Sequence, residues 1–431
     1  MKPNYWSLLP LLVCLVAGCA PITPTPAPVT PTPTPVPSPS ATPTLTPPPT
    51  ATPTPVPVPL VLWEGLPPEQ TRALIDDLAE FEGRHPGVTV DARHYEDDAA
   101  LLEQMQNTQP SPWALVLGDA ALLAGLQQQN ALQPLDGLLS ADVVADLVAP
   151  ARTGASRDGH LWGLADTVGL HLLLFYNRDL IAVPPADTNE LTSVAQSFTR
   201  RDQWGLAMNS YDPLWVVPWL AAYGGWLTDA AGNPTLDTPA MVEALTLHLR
   251  WHGDLAGVAP PATQSEARQL FVEGKAAMII DGDWAIGELR QVSVVKWGVA
   301  PLPLVGDTGR ATAPLVMGRY WALRRDLPPN STRAALDFLA YVFSPARQLS
   351  WTTRFGQLPG SRRALDDPRI LSDPWLRASA QQMQSGRGLQ LGVDANRLLD
   401  AMRGPLRAVL DGDMVPEEAA KAMQRGLGDQ P

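Results

Sequence analysis

The chain has 431 residues, with 31 Lys and Arg against 44 Asp and Glu, a formal net charge of −13. That balance excludes the basic face that nucleic-acid binding needs, while an apolar fraction of 45% supplies core for one large or two ordinary domains. Both cysteines, Cys14 and Cys19, lie near the N-terminus, so no disulfide framework, zinc-knuckle spacing or cysteine nucleophile is available further along.

In chain order, Lys2 precedes an apolar run over residues 5–17 that Pro10 interrupts. The run is short for a membrane span and reads as a signal-peptide core. Leu15-Val-Ala-Gly-Cys19 resembles a bacterial lipobox. That resemblance implies a leader over 1–18, cleavage before Cys19 and acylation of its thiol, which would anchor the protein to a membrane from outside the cytoplasm. The plainer alternative is an ordinary secretory signal. Residues 21–59 carry seventeen prolines and no charge. Such a segment buries too little apolar surface to fold. It reads, with Cys19 and Ala20, as a polyproline II stalk, reaching roughly 120 Å at ~3.1 Å per residue. Its threonines also admit O-glycosylation.

From residue 60 the pattern changes to alternating strands and helices. Leu60 to Trp63 reads as a buried strand, and Pro67-Pro68 opens a helix with Leu74, Ile75, Leu78 and Phe81 on one face. Val88 to Ala92 and Trp113 to Leu117 are further strands, separated by a helix around Leu101, Leu102 and Met105. Strands over Leu172–Tyr176 and Ala276–Ile280 follow, with helices over Pro239–Trp251, Glu266–Glu273 and Thr332–Phe343. From Trp375 the tail is helical, with loops around 386–392 and 411–416. The alternation implies an α/β fold with a mainly parallel sheet, whose ligand lies beyond the carboxyl ends of the strands. Glu64 and Asp119 occupy two such ends.

Enzyme signatures are absent: no G-x-S-x-G, H-E-x-x-H, P-loop or G-x-G-x-x-G occurs. His248 and His252 have a metal-compatible spacing on a helix, but no carboxylate lies between them, which favours an exposed or capping role. Asp229 to Asn233 reads as a turn rather than a calcium loop. No metal or cofactor is implied. Paired carboxylates for glycoside hydrolysis remain open, because their pairing is spatial. The 14 tryptophans say more. Trp215, Trp219 and Trp226 cluster beside Tyr211 and Tyr223, Trp284 follows Asp281-Gly-Asp283, and Tyr320-Trp321 follows Gly318-Arg319. Indoles beside Gly, Pro and Asp turns suit the apolar faces of sugars, with carboxylates and amides taking the hydroxyls. The alternative for each tryptophan singly is core packing.

At this point the sequence resembles the extracellular solute-binding proteins of ABC importers, of the sugar-binding, maltodextrin-binding-protein-like type. Phe81 to Val88 is similar to that family's F-E-x-x-H-P-G-I, and Gly163 to Asp166 followed by Leu174 to Leu180 to its G-L-P and L-Y-Y-N-K-D-L. Glu273 to Ala285 is similar to G-K-A-A-M-x-I-N-G-P-W-A, and Gly298–Pro303 and Phe355–Pro359 complete the order. The resemblance implies a two-lobed periplasmic-binding-protein-like fold with hinge crossovers and a ligand cleft between lobes. The implied crossovers lie near 167–171, 299–304 and 343–358. The first lobe would hold 60–168 plus 303–343, and the second 170–299 plus 358–431.

By the same resemblance Trp284 is the sugar-stacking residue, with Asp283 in place of the motif's proline. Trp215, after Asp212-Pro213-Leu214, is a second stacking candidate. Asp119, Glu64, Arg319, Tyr320 and Gln357 fall where the family contacts ligand. Two departures stand out. The polar residue expected in the first crossover is Leu170, and no tryptophan occurs near Leu398 and Leu399, so an oligosaccharide other than maltodextrin, or a polyol, fits equally. Arg319 leaves room for an acidic sugar. The implied protein is a monomeric, lipid-anchored carrier that delivers a carbohydrate to ABC permease subunits, without turnover, cofactor or nucleic acid. The alternatives are a sensor or adhesion lipoprotein and a secreted glycan hydrolase on the same scaffold.

Overall fold

A computed structural model describes residues 57–107, 112–252, 259–260, 262–292 and 294–428. The leader, Cys19 and all of the stalk except 57–59 lie outside them. The strands are β1 (Val58–Glu64), β2 (Val88–His94), β3 (Leu115–Asp119), β4 (Ser156–Arg157), β5 (His160–Leu161), β6 (Leu164–Gly169), β7 (Leu172–Asn177), β8 (Trp204–Met208), β9 (Ala276–Gly282), β10 (Trp297–Ala300), β11 (Met317–Leu323) and β12 (Leu358–Pro359). Val58 and Pro59, assigned above to the stalk, already pair with Val88 and Thr89.

Two sheets organise the body. The first has the order β12-β6-β11-β3-β1-β2 and the second β10-β7-β9-β8. Neither is mainly parallel, as the alternation had suggested. β1 runs parallel to β2 and β3, but β11 is antiparallel to β3 and β6. In the second sheet only β8 and β9 are parallel. The crossings explain this. β6 ends at Gly169 in the first sheet and β7 begins at Leu172 in the second. A strand that starts where the chain has just crossed must run opposite to strands that end there, so β7 pairs antiparallel with β9 (Leu172 with Gly282) and β11 with β6 (Met317 with Gly169).

Each sheet is covered on both faces. The alternation of side chains along a strand sends Leu172 and Leu174 into one core with Trp219, Trp251 and Met402, and Leu173 and Phe175 into another with Phe271 and Leu289. The first sheet's core contains Trp63, Phe81, Trp321 and Phe338. Leu74, Leu78 and Phe81 are buried there as their periodicity required, but Ile75 is 55% exposed, on the solvent flank of helix Pro68–Arg84.

The chain crosses between the sheets at 170–171 and again at 301–316. The third crossing is not at 343–358. Helix Pro345–Phe355 packs Leu349 and Trp351 into the first core, β12 pairs with β6, and Leu376, Ala380 and Met383 of helix Pro374–Ser385 remain in that core. Trp375 of the same helix packs on Trp297 of the second sheet, ring centres 5.2 Å apart, so 358–372 belongs with the first sheet and helix Pro374–Ser385 bridges the two. The physical reason is Arg347. It is 4% exposed and forms ion pairs with Asp166 of β6 and with Asp77 (2.8 Å), and its guanidinium lies 4.0 Å from the centre of the Trp351 ring. Asp166 also accepts from Trp321 Nε1 at 2.9 Å, and Gln348 Nε2 donates to the Asp166 carbonyl at 3.0 Å.

Two predictions follow from buried charge. Arg347→Met strands Asp166 without its cation and should cost about 3–5 kcal/mol in urea unfolding, while Arg347→Met with Asp166→Asn recovers part of the loss. His248 is fully buried in the second core, donates from Nε2 to the Ser210 carbonyl at 2.8 Å, and has its pKa lowered to about 4 by burial. The unfolded state therefore binds the proton first, and stability should fall as pH drops from ~6.5 toward 4, by roughly 3 kcal/mol for this group. His248→Gln should flatten that part of the pH–stability curve.

Candidate functional site

The first sheet presents a row of strand ends at one edge. His94 lies beside Glu64, Asp119 is in register with Arg319, Gly169 with Met317, and Leu358 with Val168. The second sheet presents a matching row, Met208 beside Ile280 and Gly282 beside Leu172. Gly169 and Leu172, the two strand ends that the first crossing joins, belong to these facing rows. Glu64, Asp119, Arg319 and Gln357 thus come to the first lobe's edge, and Asp283 and Trp284 to the second's, as their sequence positions suggested.

Most of these groups are already engaged. Glu64 is fully buried. Its carboxylate accepts from Leu66 N–H at 2.6 Å and faces His94 Nδ1 at 3.1 Å. It fixes the turn into helix Pro68–Arg84, and half-exposed His94 is the member of the pair that reaches solvent. Asp119 caps helix Ala120–Gln128 by accepting from Leu122 N–H at 2.8 Å, and its own N–H donates to Asp98 Oδ2 at 2.9 Å. Arg319 Nη2 donates to Asp98 Oδ1 at 2.8 Å. Burial raises the Asp98 pKa and Arg319 opposes the rise. Asp98 is the residue that sequence reasoning missed. It opens helix Asp98–Asn107, after a strand that reads as unremarkable, and nothing local marks it as the partner of a residue 221 positions away.

Two assigned residues are corrected outright. Tyr320 is 1% exposed; its hydroxyl occupies the space beside Gly154, where a Cβ would come within 2.3 Å of it, and burial pushes its pKa up. The pairing with β6 is irregular between Arg319 and Tyr320, and from Tyr320 to Leu323 β11 is buried on both faces of the sheet. Trp215 is 2% exposed and donates from Nε1 to the Ile280 carbonyl at 2.8 Å, so it offers no stacking face. Instead it supports Trp284, ring to ring at 6.5 Å and 79°. A Cβ on Gly282 would lie 2.1 Å from the Trp284 ring, so only glycine lets the indole rest on the strand. Trp284 remains 37% exposed. Next to it in the crossing, Leu170 is 46% exposed at φ 62°, a left-handed conformation rare for a leucine. Gln357 is half-buried, and its Oε1 is enclosed without a hydrogen-bond partner.

The remaining candidates resolve quietly. His252 occupies the C-cap of helix Pro239–Trp251 and buried His248 is bonded to Ser210, so the pair does not form an exposed metal face. Among the described residues no group of three or more His, Cys, Asp or Glu is placed to hold a metal ion, and no helix is long and apolar enough to cross a membrane. Asp229 closes a turn with Ala231 and Asn233.

Comparison with known proteins agrees with this architecture. The family of bacterial extracellular solute-binding proteins matches residues 78–378. A maltotriose-binding protein of Pyrococcus abyssi is 24% identical over 75% of this chain and 71% of its own. A galactooligosaccharide-binding protein of Bacillus subtilis is 23% identical over 84% of this chain and 86% of its own. The solved maltose/maltodextrin-binding domain of Bdellovibrio bacteriovorus, bound to maltotriose, is 28% identical with a TM-score of 0.65, covering 86% of this chain and 98% of that one. The chain belongs to the bacterial extracellular solute-binding protein family, whose members bind solutes and do not turn them over.

The two tryptophans separate support from contact. Without ligand, Trp215→Ala should cost about 3–5 kcal/mol in chemical denaturation, the usual loss for a buried indole. Trp284→Ala, already more than a third exposed, should cost less, roughly 2–3 kcal/mol. Equal losses would overturn the distinction.

Proposed function

We propose that this protein captures a neutral oligosaccharide of the maltodextrin class between its lobes and delivers it to an ABC-type importer by hinge closure. The observation that carries the reading is Trp284, an indole held half-open at the second lobe's edge beside the first crossing, at the position the family motif gives to sugar stacking. The named ligands of the relatives supply the sugar class. The Asp98–Arg319 pair favours a neutral ligand over an acidic one, because the guanidinium that would attract a uronide already has its carboxylate. His94 offers a hydrogen bond to a hydroxyl along the same edge.

Closure follows from mass action. Ligand contacts both rows of strand ends only when the lobes approach, so binding selects the closed state by differential affinity. That state is what the permease subunits would recognise. The lipobox-like Leu15–Cys19 supports a lipid anchor on Cys19, with the Pro/Thr segment as the tether that lifts the monomeric body from the outer face of the membrane.

The test is a thermal-shift and calorimetric panel on the mature chain with maltose, maltotriose, maltotetraose, a galactooligosaccharide, glucuronides and polyols. At ~100 times its dissociation constant the ligand should add about 2.7 kcal/mol of stability, and Trp284→Ala should abolish the shift. Silence toward every glucan, or release of smaller sugars, would sink the reading. A response to glucuronides that Arg319→Ala removes would redirect it to acidic sugars.

A further inference from the structure

Asp283 stands where the family motif carries proline, and its side chain is not aimed at solvent. It is 13% exposed. Its Oδ1 accepts from Leu170 N–H at 3.1 Å, its Oδ2 lies 3.5 Å from His171 Nδ1, and its own N–H donates to the His171 carbonyl at 3.0 Å. Gly169 makes the room, since a Cβ there would meet Oδ2 at 2.7 Å. Both residues of the first crossing therefore touch one aspartate, packed against Gly169 just before them, and that aspartate is also the residue before Trp284.

The contacts continue into the first lobe. His171 is fully buried and its Nε2 lies 2.7 Å from Ser379 Oγ. Ser379 sits on helix Pro374–Ser385, whose Leu376, Ala380 and Met383 belong to the first core. The same helix meets the second crossing, where Gln382 Oε1 accepts from Leu302 N–H at 2.6 Å. Burial lowers the His171 pKa, so the ring is neutral, with one nitrogen facing the carboxylate and the other the hydroxyl. Polar contacts thus run from the residue beside Trp284, through the crossing, to helix Pro374–Ser385, with His171 Nδ1 itself left without a hydrogen bond.

We propose that Asp283 is a positioning residue for the sugar site: its carboxylate fastens the Trp284 platform to the first crossing and holds Leu170 left-handed, so that the stacking ring and the exposed leucine keep a fixed relation as the hinge moves. A buried carboxylate is costly unless it is hydrogen-bonded, and here the bonds it makes are those that set the crossing. The proline of the motif has no acceptor and could not do this. The inference rests on the oligosaccharide reading above.

The experiment compares Asp283→Ala and Asp283→Asn with the unaltered mature protein. Maltotriose and maltotetraose affinities are measured by calorimetry, the ligand-free melting midpoint by scanning calorimetry, and exchange of the Leu170 amide by hydrogen–deuterium mass spectrometry of a peptide over 165–175. Asp283→Ala should bind about tenfold more weakly, the size of one lost charge-assisted hydrogen bond, with its midpoint within about 3 °C of the parent and faster Leu170 exchange. Asp283→Asn, whose amide oxygen still accepts from Leu170 N–H, should recover most of both affinity and protection. Unchanged affinity or unchanged protection in Asp283→Ala, or no recovery in Asp283→Asn, overturns the proposal. If the unaltered protein binds neither glucan, it is the sugar reading that fails, and the exchange comparison still decides whether Asp283 holds the crossing.

Discussion

Two residues, Leu170 and His171, separate a strand of one sheet from a strand of the other, and this short link governs the rest of the molecule. So short a link cannot wrap around a helix, so β7 must start at the edge where β6 stops. That forces the antiparallel pairings of β7 with β9 and β10 and sets the strand ends of both sheets facing one another. It also places a backbone with few free dihedrals at the pivot. Leu170 takes the left-handed region, at a cost of roughly 1–2 kcal/mol for a residue with a Cβ. The surrounding contacts of Asp283 and His171 over-determine that conformation, and strain of this kind persists only under such conditions.

The charge distribution follows a second rule. Carboxylates drawn to the edge by the strand ends are mostly spent on the scaffold: Glu64 on a turn, Asp119 on a helix cap, Asp98 on Arg319. A site built this way has little net charge to offer, and its polar groups are fixed before ligand arrives. Preorganisation of that sort reduces the ordering cost of binding. It also leaves the apolar elements, Trp284 and Leu170, as the surfaces that gain most when water is removed.

Much of this was legible in the chain itself. Periodicity located β1, β3, β7, β9 and helix Pro239–Trp251, and the Gly-Asp-Trp run located the exposed indole Trp284. The family resemblance placed Glu64, Asp119, Arg319 and Gln357 at one edge. Exposure was not legible, because it depends on what lies across the sheet. Trp215 and Trp284 look alike in sequence, each following an Asp-containing turn, yet one is the support and the other the surface. Asp98 and Asp166 acquire their roles from partners far away in sequence, Arg319 and Arg347. The third crossing was misplaced because helix Pro345–Phe355 is amphipathic around a buried arginine, a feature that reads as surface until its carboxylate is found.

On the proposed reading, the hinge and the site are one object rather than two. A ligand shifts the lobes only by as much as it prefers the closed arrangement. Moving from 1:99 to 99:1 takes about 5.5 kcal/mol of that preference. Burying what remains exposed of Trp284 and Leu170 supplies on the order of 3–4 kcal/mol. The rest must come from hydrogen bonds that reach both strand-end rows at once. A solute too short to touch both rows would be held by one lobe and would leave the equilibrium where it was. On the proposed reading, a solute long enough to reach both rows is the one that would favour the closed arrangement.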